Sequence, residues 1–369
     1  MAIKREEIQE MVSKEYDLDN LTIGVLGSHS ALDICKGAKD EGFKTLVVCK
    51  KGREKPYTIY FKTRERGDEV VGCVNLPLVL NDWREMIDED NLKILRSHNT
   101  IVVPHRSLEV YLKFYPIENS LQVPIFGNRA LLRAEERTEP DMIEKNQDYL
   151  VKLANIPTPK RFDSPHEIDR PVIVKATKAI GERTFVREFP VVNSSEQYEN
   201  ICMELVERGE TEEEKRAIEE NFRSAPIEEY IEGEKVNLNF FYSILYEELE
   251  LLGTDTRLQF PNGEELAHLP LSLRESLLGK AYDMGEKFVE VCKKEYPPGI
   301  IGPFALQCIG DESENLRVYD VSLRIPGSPD AEITPYPGYL FGSGISFGRR
   351  IAREIKDAIR FGRLNEIVT

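Results

Sequence analysis

Separate stretches of the chain carry side chains suited to a polyphosphate and a divalent cation. Lys175 closes the apolar run VIVK, Gln307 lies in GPFALQ, and Asp320 opens DVSLR, which ends at Arg324. An extended chain alternates its side chains, so Asp320, Ser322 and Arg324 share one face, and Gln307 joins them from a neighbouring strand. Magnesium takes one or two side-chain oxygens and fills its octahedron with water and phosphate oxygens, a demand that a Gln307–Asp320 pair meets. Lysine offers phosphate a point charge and arginine a planar fork. Each piece also has a plainer reading. A lysine that ends a strand is commonly solvated, and an Asp-x-x-x-Arg pair is commonly an ion pair.

A second set sits in TIGVLGSHSAL, Thr22 to Leu32, where an apolar strand stops at Gly27 and a helix begins. The free amides of a helix start favour a phosphate, and Ser28 and Ser30 place hydroxyls on either side of His29. The alternative is that Ser28 caps the helix and His29 is an exposed turn residue.

These groups need elements to hold them. TIGVLG and KTLVVCK read as strands around a helix, SALDICKGAKDEG, with an apolar stripe of Leu32, Ile34, Cys35 and Ala38. NTIVVPH is a continuous apolar run that reads as a central parallel strand, and QVPIFGN reads as another. This alternation predicts an open, mostly parallel sheet to about residue 127, with ligands beyond its carboxyl edge. From residue 128 the rhythm changes. Helical segments run to IPTP, RPVIVKAT is a strand, and SSEQYENICMELVERG and TEEEKRAIEENF are helices. The second helix opens with a capping box, Thr211 to Glu214. IEEYIEGEKVNLNFFYS reads as two strands about a tight turn at Gly233. ELELLGTDTRLQ, GPFALQCIG and LRVYDVSLRI are further strands of hairpin type. GISFGRRIAREIKDAIRF is an amphipathic helix. The fold class is therefore α/β followed by α+β: a parallel sheet, then antiparallel sheet with helices around it.

The bulk numbers narrow the function. A chain of 369 residues suits two or three domains. A net charge of -16 argues against general nucleic-acid binding and leaves room for a local basic pocket. No apolar run approaches the ~20 residues that span a bilayer, and the N-terminal stretch is a polar helix pattern with no signal-peptide core. The six cysteines form no Cys-x-x-Cys pair. Four sit in apolar surroundings, which predicts buried free thiols, a reducing cytoplasm and no structural zinc.

Read in order, GSHSAL…KGAKDEGF, IVVPH-x-S, PIFGNR-x-LLR-x-E, VIVK, IEEYIEG, FFYS, LRESLL, GPFALQ and GRRIAREI resemble the archaeal formate-dependent synthetases that make 5-formaminoimidazole-4-carboxamide ribotide in purine biosynthesis. The likeness runs from about residue 20 to the C-terminus. It implies an N-terminal parallel sheet of the pre-ATP-grasp type, followed by an ATP-grasp fold of two antiparallel-sheet lobes. It also implies a reaction. ATP phosphorylates formate, and the amine of aminoimidazole carboxamide ribotide (AICAR) attacks the formyl phosphate to give the formamide, ADP and phosphate. On this resemblance residues 1–127 bind the ribotide, 128–225 form the first ATP-grasp lobe and 226–369 the second, with the metal site. Lys175 would hold ATP phosphates, while Glu229, Tyr230 and Ile231 would offer backbone groups to adenine. Gln307 and Asp320 would ligate Mg2+, with Mn2+ as an alternative, and Arg324 would act catalytically on the transferring phosphate. Ser28, His29 and Ser107 would hold the ribotide. The expected partners are small molecules, an AICAR-like ribotide and formate, with no nucleic acid and no membrane; a homo-oligomer stays open, and the expected compartment is the cytoplasm.

The chain departs from that family at several places. The glycine-rich loop expected after VIVK reads ATKAIGERTFVREF, with Gly181 alone and with Lys178 and Arg183 as substitute charges. Tyr149 stands where a lysine is expected, with Lys145 and Lys152 nearby. A late Glu-x-Ser-Ala-Arg is here Asp320 to Arg324, NGEELAHLPLS is a shortened segment, and Arg106 replaces a glycine beside Ser107. These departures define two rival expectations: a catalytically impaired or non-catalytic paralogue that binds a nucleotide or ribotide, and an ATP-grasp ligase for another carboxylate and amine.

Overall fold

In the computed structural model, which describes residues 2–137, 141–180, 184–188, 190–259, 265–327 and 329–369, the first half is built on four parallel strands. These are β1 (Thr22–Leu26), β2 (Lys44–Lys50), β5 (Leu76–Leu80) and β6 (Thr100–Val102), in the order β5-β2-β1-β6; a short hairpin of β3 (Arg64–Arg66) and β4 (Glu69–Val71) lies outside them. Every residue of β1 is buried, as expected of a strand covered on both faces. The sequence pattern did not show β5. Its sequence, LPLVL, contains Pro77, which cannot donate to a ladder and is tolerated because β5 is the sheet edge.

QVPIFGN, expected as a strand, makes only isolated bridges. Pro124 has no N–H, so pairing to β6 reduces to Val102 N–H donating to the Pro124 carbonyl (2.8 Å) and Phe126 N–H donating to the Val102 carbonyl (2.9 Å). Ile125 instead exchanges both of its backbone bonds with Thr369, each at 3.0 Å.

The helix Ala31–Asp40 buries Ala31, Ile34, Cys35, Gly37 and Ala38. It crosses the late helix Phe347–Phe361 backbone to backbone. A Cβ on Gly37 would stand 2.0 Å from the Arg349 nitrogen, and one on Gly348 would stand 2.2 Å from the Asp33 carbonyl oxygen. The late helix is amphipathic as read, but its inner face also buries Arg350 and Glu354. Arg350 grips Glu250 with two bonds of 2.7 and 2.8 Å and Glu354 with one of 2.9 Å, while the Ser243 hydroxyl donates to Glu354 at 2.8 Å.

The middle of the chain forms a small antiparallel sheet, β11-β8-β12-β7, from β7 (Arg161–Phe162), β8 (Val172–Val174), β11 (Val191–Val192) and β12 (Ile227–Glu229). Between β8 and β11 runs a separate hairpin of β9 (Ala176–Ile180) and β10 (Thr184–Glu188). The helices Ser195–Val206 and Glu212–Arg223 bury Tyr198, Cys202 and Phe222 with this sheet. The expected capping box is present: Thr211 Oγ1 accepts from Glu214 N–H at 3.1 Å, and Glu214 accepts from Thr211 N–H at 3.3 Å.

The last sheet is antiparallel, in the order β15-β14-β13-β16-β17, from β13 (Glu234–Ser243), β14 (Glu248–Gln259), β15 (Glu265–Leu271), β16 (Gly302–Gly310) and β17 (Leu316–Ser322). β12 and β13 therefore belong to different sheets. Gly233 lies in the connection between them, where a Cβ would come 2.4 Å from the Gly310 carbonyl oxygen. β15 was also not apparent from the sequence. One face of this sheet packs Val236, Leu238, Phe240, Phe304 and Leu306 against the helix Glu275–Glu295 through Phe288 and Cys292. All six cysteines are buried and free. Among the described residues no helix is long and apolar enough to cross a membrane.

Candidate active site

The opposite face of the last sheet is polar and buried. Strand alternation turns Asn237 and Asn239 away from the aromatic core, and the ladder sets their neighbours beside them. Asp255 is opposite Asn237, Asn237 is opposite Gln307, and Gln307 is opposite Asp320, a row that crosses four strands. Asp255 is fully buried, and Asn237, Asn239, Gln307 and Ser322 are nearly so. Burying polar groups costs free energy unless they are bonded, and here they largely are. Asn237 and Asn239 each donate to Asp255 (2.8 and 2.6 Å), Arg257 donates to Gln307 Oε1 (2.6 Å), and Gln307 Nε2 donates to Ser322 Oγ (3.3 Å). The Asn239 Oδ1 atom is buried without a hydrogen-bond partner.

The predicted cation ligands, Gln307 and Asp320, thus face each other on adjacent strands. Both offer oxygen, with no nitrogen or sulfur donor in the pair, which fits Mg2+ or Mn2+ sharing phosphate oxygens. Among the described residues no three His, Cys, Asp or Glu side chains gather as a metal site, so phosphate and water oxygens have to complete such a shell.

A charge network joins this pair to the small sheet. Arg137 donates to Asp320 Oδ1 (2.8 Å) and to the Tyr319 carbonyl (3.1 Å), and stands 3.6 Å from Asp148. Arg161 bonds Asp148 (2.8 Å) and stands 3.4 Å from Glu228, whose other oxygen is 2.5 Å from Lys175 Nζ. The Lys175 contact is an ion pair without hydrogen-bond geometry, and the ammonium also lies 5.6 Å over the Tyr319 ring. Burial pulls the Lys175 ammonium below its ordinary value, and Glu228 opposes that pull. Of the predicted adenine segment, Ile231 is buried and Tyr230 exposed. The Glu229 and Tyr230 amides are already used by the Lys160 and Pro171 carbonyls (2.8 and 2.9 Å), which leaves carbonyls and Ile231 to meet a base.

The first-half residues form a corner at the carboxyl ends of β1 and β6. His29 is exposed and left-handed (φ 49°), with its Nδ1 2.8 Å from Ser30 Oγ. The helix cap is Ser30, not Ser28, and its side chain makes no capping bond. The His29 ring stacks on His105, with centroids 5.8 Å apart. His105 in turn donates through Nε2 to the Leu26 carbonyl (2.7 Å) and accepts at Nδ1 from Ser107 N–H (3.2 Å). One buried imidazole therefore joins His29 to Ser107. Its burial drives the ring pKa down to about 3 and keeps it neutral.

Arg324 points away from Asp320. It lies just beyond β17, and its Nη2 donates to Glu135 (2.7 Å) while Nε is 4.0 Å from Glu109. Arg106 closes the same cluster, 3.0 Å from Glu109 and 3.5 Å from Glu135. Burial, with Glu135 close by, pushes the Glu109 carboxyl up to about 8. The backbone after Arg324 then reaches the corner: Ile325 bridges His105, Ser30 Oγ donates to the Pro326 carbonyl (3.4 Å), and Gly327 abuts His29.

The structure therefore unites Lys175, Gln307 and Asp320 in one network and Ser28, His29 and Ser107 in one corner, with Arg324 between them. Tyr149, in the place of an expected lysine, reaches Glu295 (3.4 Å), to which Lys145 is paired at 2.7 Å. Gly181 and Arg183 lie outside the described residues, as does the Lys178 side chain. His105, Arg137, Glu228 and Asp255 were not among the residues expected at the site. His105 and Glu228 stand inside the phrases IVVPH and IEEYIEG, and Asp255 alternates with Arg257 along β14, so the signals were present.

Residues 23–162 match a family model described as a protein of unknown function (DUF1246), and residues 204–369 match a domain of unknown function (DUF1297). The chain is 37% identical over 386 residues to a protein of Methanopyrus kandleri named 5-formaminoimidazole-4-carboxamide-1-(beta)-D-ribofuranosyl 5'-monophosphate synthetase, with 100% of each covered. It is 36% identical to a protein of the same name from Methanothermobacter thermautotrophicus, covering 100% of this chain and 99% of that one. Among solved structures, an IMP biosynthesis protein PurP from Thermococcus kodakaraensis superposes with a TM-score of 0.68 at 27% identity, over 94% of this chain and 100% of that one. An ADP complex of an N5-carboxyaminoimidazole ribonucleotide synthetase gives 0.55 at 12% identity, over 84% and 72%, a likeness of fold.

Proposed function

Since the chain belongs to the family of 5-formaminoimidazole-4-carboxamide ribotide synthetases, whose members match it at 32–37% identity from end to end, we propose that it joins formate to the amine of AICAR at the expense of ATP. Its fold is that of the ATP-grasp ligases, and the reaction forms a C–N bond. The observation that supports this reading best is the continuous path from Lys175 through Glu228, Arg161, Asp148 and Arg137 to Asp320 and Gln307, and from that sheet through Gly327 to His29.

Formate carries a poor leaving group, and phosphorylation replaces it with a better one. The protein's part is to gather charge at the triphosphate and align the reactants. Lys175 and Arg137 would neutralise phosphate oxygens as they exchange their present carboxylate partners for them. Gln307 and Asp320 would hold Mg2+, which when bound would draw electron density from the phosphates. Glu229 to Ile231 would border the adenine. Ser28, His29 and Ser107 would hold the ribotide beyond the strand ends, where parallel sheets bind ligands. Arg324, which accompanies Glu135 and Glu109 between the two ends, would meet the transferring phosphate. We read the protein as a cytoplasmic enzyme acting on small molecules.

The test is to incubate the protein with ATP, Mg2+, formate and AICAR and to follow ADP and the formamide ribotide by chromatography. The expected result is ADP release that depends on formate and matches the formamide mole for mole. Ribotide binding with no ADP release would favour the non-catalytic reading, which the scarcity of glycine in residues 176–189 supports. ADP release with another carboxylate would favour the other ligase.

A further inference from the structure

The polar row does not end at Asn237. Its outer member, Asp255, accepts from His268 Nδ1 at 2.6 Å as well as from the two asparagines. A carboxylate can only accept, so the proton of the neutral imidazole sits on Nδ1 and the lone pair on Nε2. That nitrogen is turned toward the His29 corner. A Cβ built on Gly327 would stand 3.4 Å from His268 Nε2 and 3.1 Å from His29 Nε2, so both rings border the same small space. Asp255 is two strands from Gln307, roughly 10 Å at about 4.8 Å per strand. The histidine–carboxylate pair therefore lies at the ribotide end of the row whose other end is the cation pair.

We propose that His268, held by Asp255, is the base that accepts the proton of the ribotide amine as the amine attacks the formyl carbon, an inference that rests on the formylation reaction proposed for this chain. In that step the nitrogen lone pair forms the C–N bond, and the C–O bond to the phosphoryl oxygen breaks with its electron pair leaving as phosphate. An N–H proton passes to His268 Nε2, and the imidazolium later returns it to solvent. The amine is conjugated with the imidazole and its carboxamide, which makes it a weak nucleophile whose proton has to leave as the bond forms. Asp255 fixes the tautomer and stabilises the imidazolium without taking the proton itself. His29 differs in its surroundings: its Nδ1 lies 2.8 Å from the Ser30 hydroxyl and its ring is stacked on His105.

The two half-reactions separate the outcomes. Formyl phosphate is trapped with hydroxylamine as the hydroxamate, and the formamide ribotide is measured in parallel, for the wild type, His268→Gln and Asp255→Asn. The expected result for both variants is a fall in formamide of roughly 10²- to 10⁴-fold, with trapped hydroxamate within about threefold of wild type and imidazole restoring part of the activity of His268→Gly. Formamide at the wild-type rate in His268→Gln overturns the inference, as does an equal fall of both products in all variants, which marks the pair as structural. A wild-type chain that makes hydroxamate but no formamide, or neither, overturns the functional reading itself.

Discussion

Replacing His105 with Asn removes the imidazole that links His29 to Ser107 while keeping a side chain that can cap the helix after it. In the folded protein His105 is completely enclosed, and burial outweighs its bond to the Leu26 carbonyl, so its pKa falls from an ordinary 6.5 to about 3. The unfolded chain therefore binds a proton between pH 6.5 and 3 that the folded protein refuses, and stability is lost as pH falls through that window. At pH 5 the unfolded state has gained the full benefit of about one and a half pH units, which at about 1.4 kcal/mol per unit is about 2 kcal/mol; at pH 7.5 the effect is near zero. Two buried acids work in the opposite sense. Glu109, pushed up to about 8, and Asp33, raised to about 6 by burial, hold protons in the folded state that the unfolded chain gives up, so their contributions fall as pH rises through those values. They are common to wild type and variant and cancel in the difference. Urea unfolding at pH 7.5 and pH 5.0 is the assay. His105→Asn starts less stable, and from pH 7.5 to 5.0 the wild type should lose about 2 kcal/mol more than the variant. Parallel losses in the two proteins would refute the neutral, buried histidine and with it the account of how His29 and Ser107 are held together.

Asp320→Ala should abolish Mg2+-dependent ADP release while shifting urea stability by less than about 1 kcal/mol, because Asp320 is partly exposed and its partner Arg137 keeps Asp148; unchanged turnover would remove Asp320 from the cation site. Glu354→Ala leaves Arg350 with Glu250 as its carboxylate partner and removes the acceptor of the buried Ser243 hydroxyl, and should cost about 1–3 kcal/mol in urea unfolding. Gly348→Ala drives a methyl group into the Asp33 backbone and should cost about 3 kcal/mol, read as a lowered thermal midpoint; a wild-type midpoint would show that the two helices can part freely.

The fold was legible where period and chemistry agreed. The apolar runs of β1, β2 and β6 could be nothing but covered parallel strands, and Thr211 with Glu214 announced its helix. Proline obscured the rest in both directions. Pro77 hid β5, since an edge position is a property of the whole sheet, and Pro124 lay inside an apolar run whose bonding is shared with Thr369. The sheet change between β12 and β13 was invisible because a turn glycine looks the same whether it closes a hairpin or connects two sheets. At the site, Lys175, Gln307 and Asp320 were legible as residue types suited to phosphate and cation. Their partners were not: Arg137, Asp148 and Arg161 come from surface-like sequence and acquire meaning only when strand pairing brings Asp320 to them. Arg324 shows the limit of alternation, since β17 stops at Ser322 and the next two residues turn toward Glu135.

The contact of Gly37 with Gly348 sets which part of the molecule can move. Two helices that meet at bare backbone, with Asp33 hydrogen-bonded to Gly348 across the crossing, have no long side chain between them to act as a bearing. The first sheet and the last sheet are thus clamped as one frame, and the corner around His29 keeps its shape whatever happens elsewhere. The small sheet beside Lys175 is joined to that frame by thin connections such as residues 230–233 and by the ion pairs Arg161–Asp148 and Arg137–Glu228. Closure over the nucleotide of the proposed reaction would fall to this lobe, so the ribotide would meet a preformed seat and ATP a jaw that has to shut.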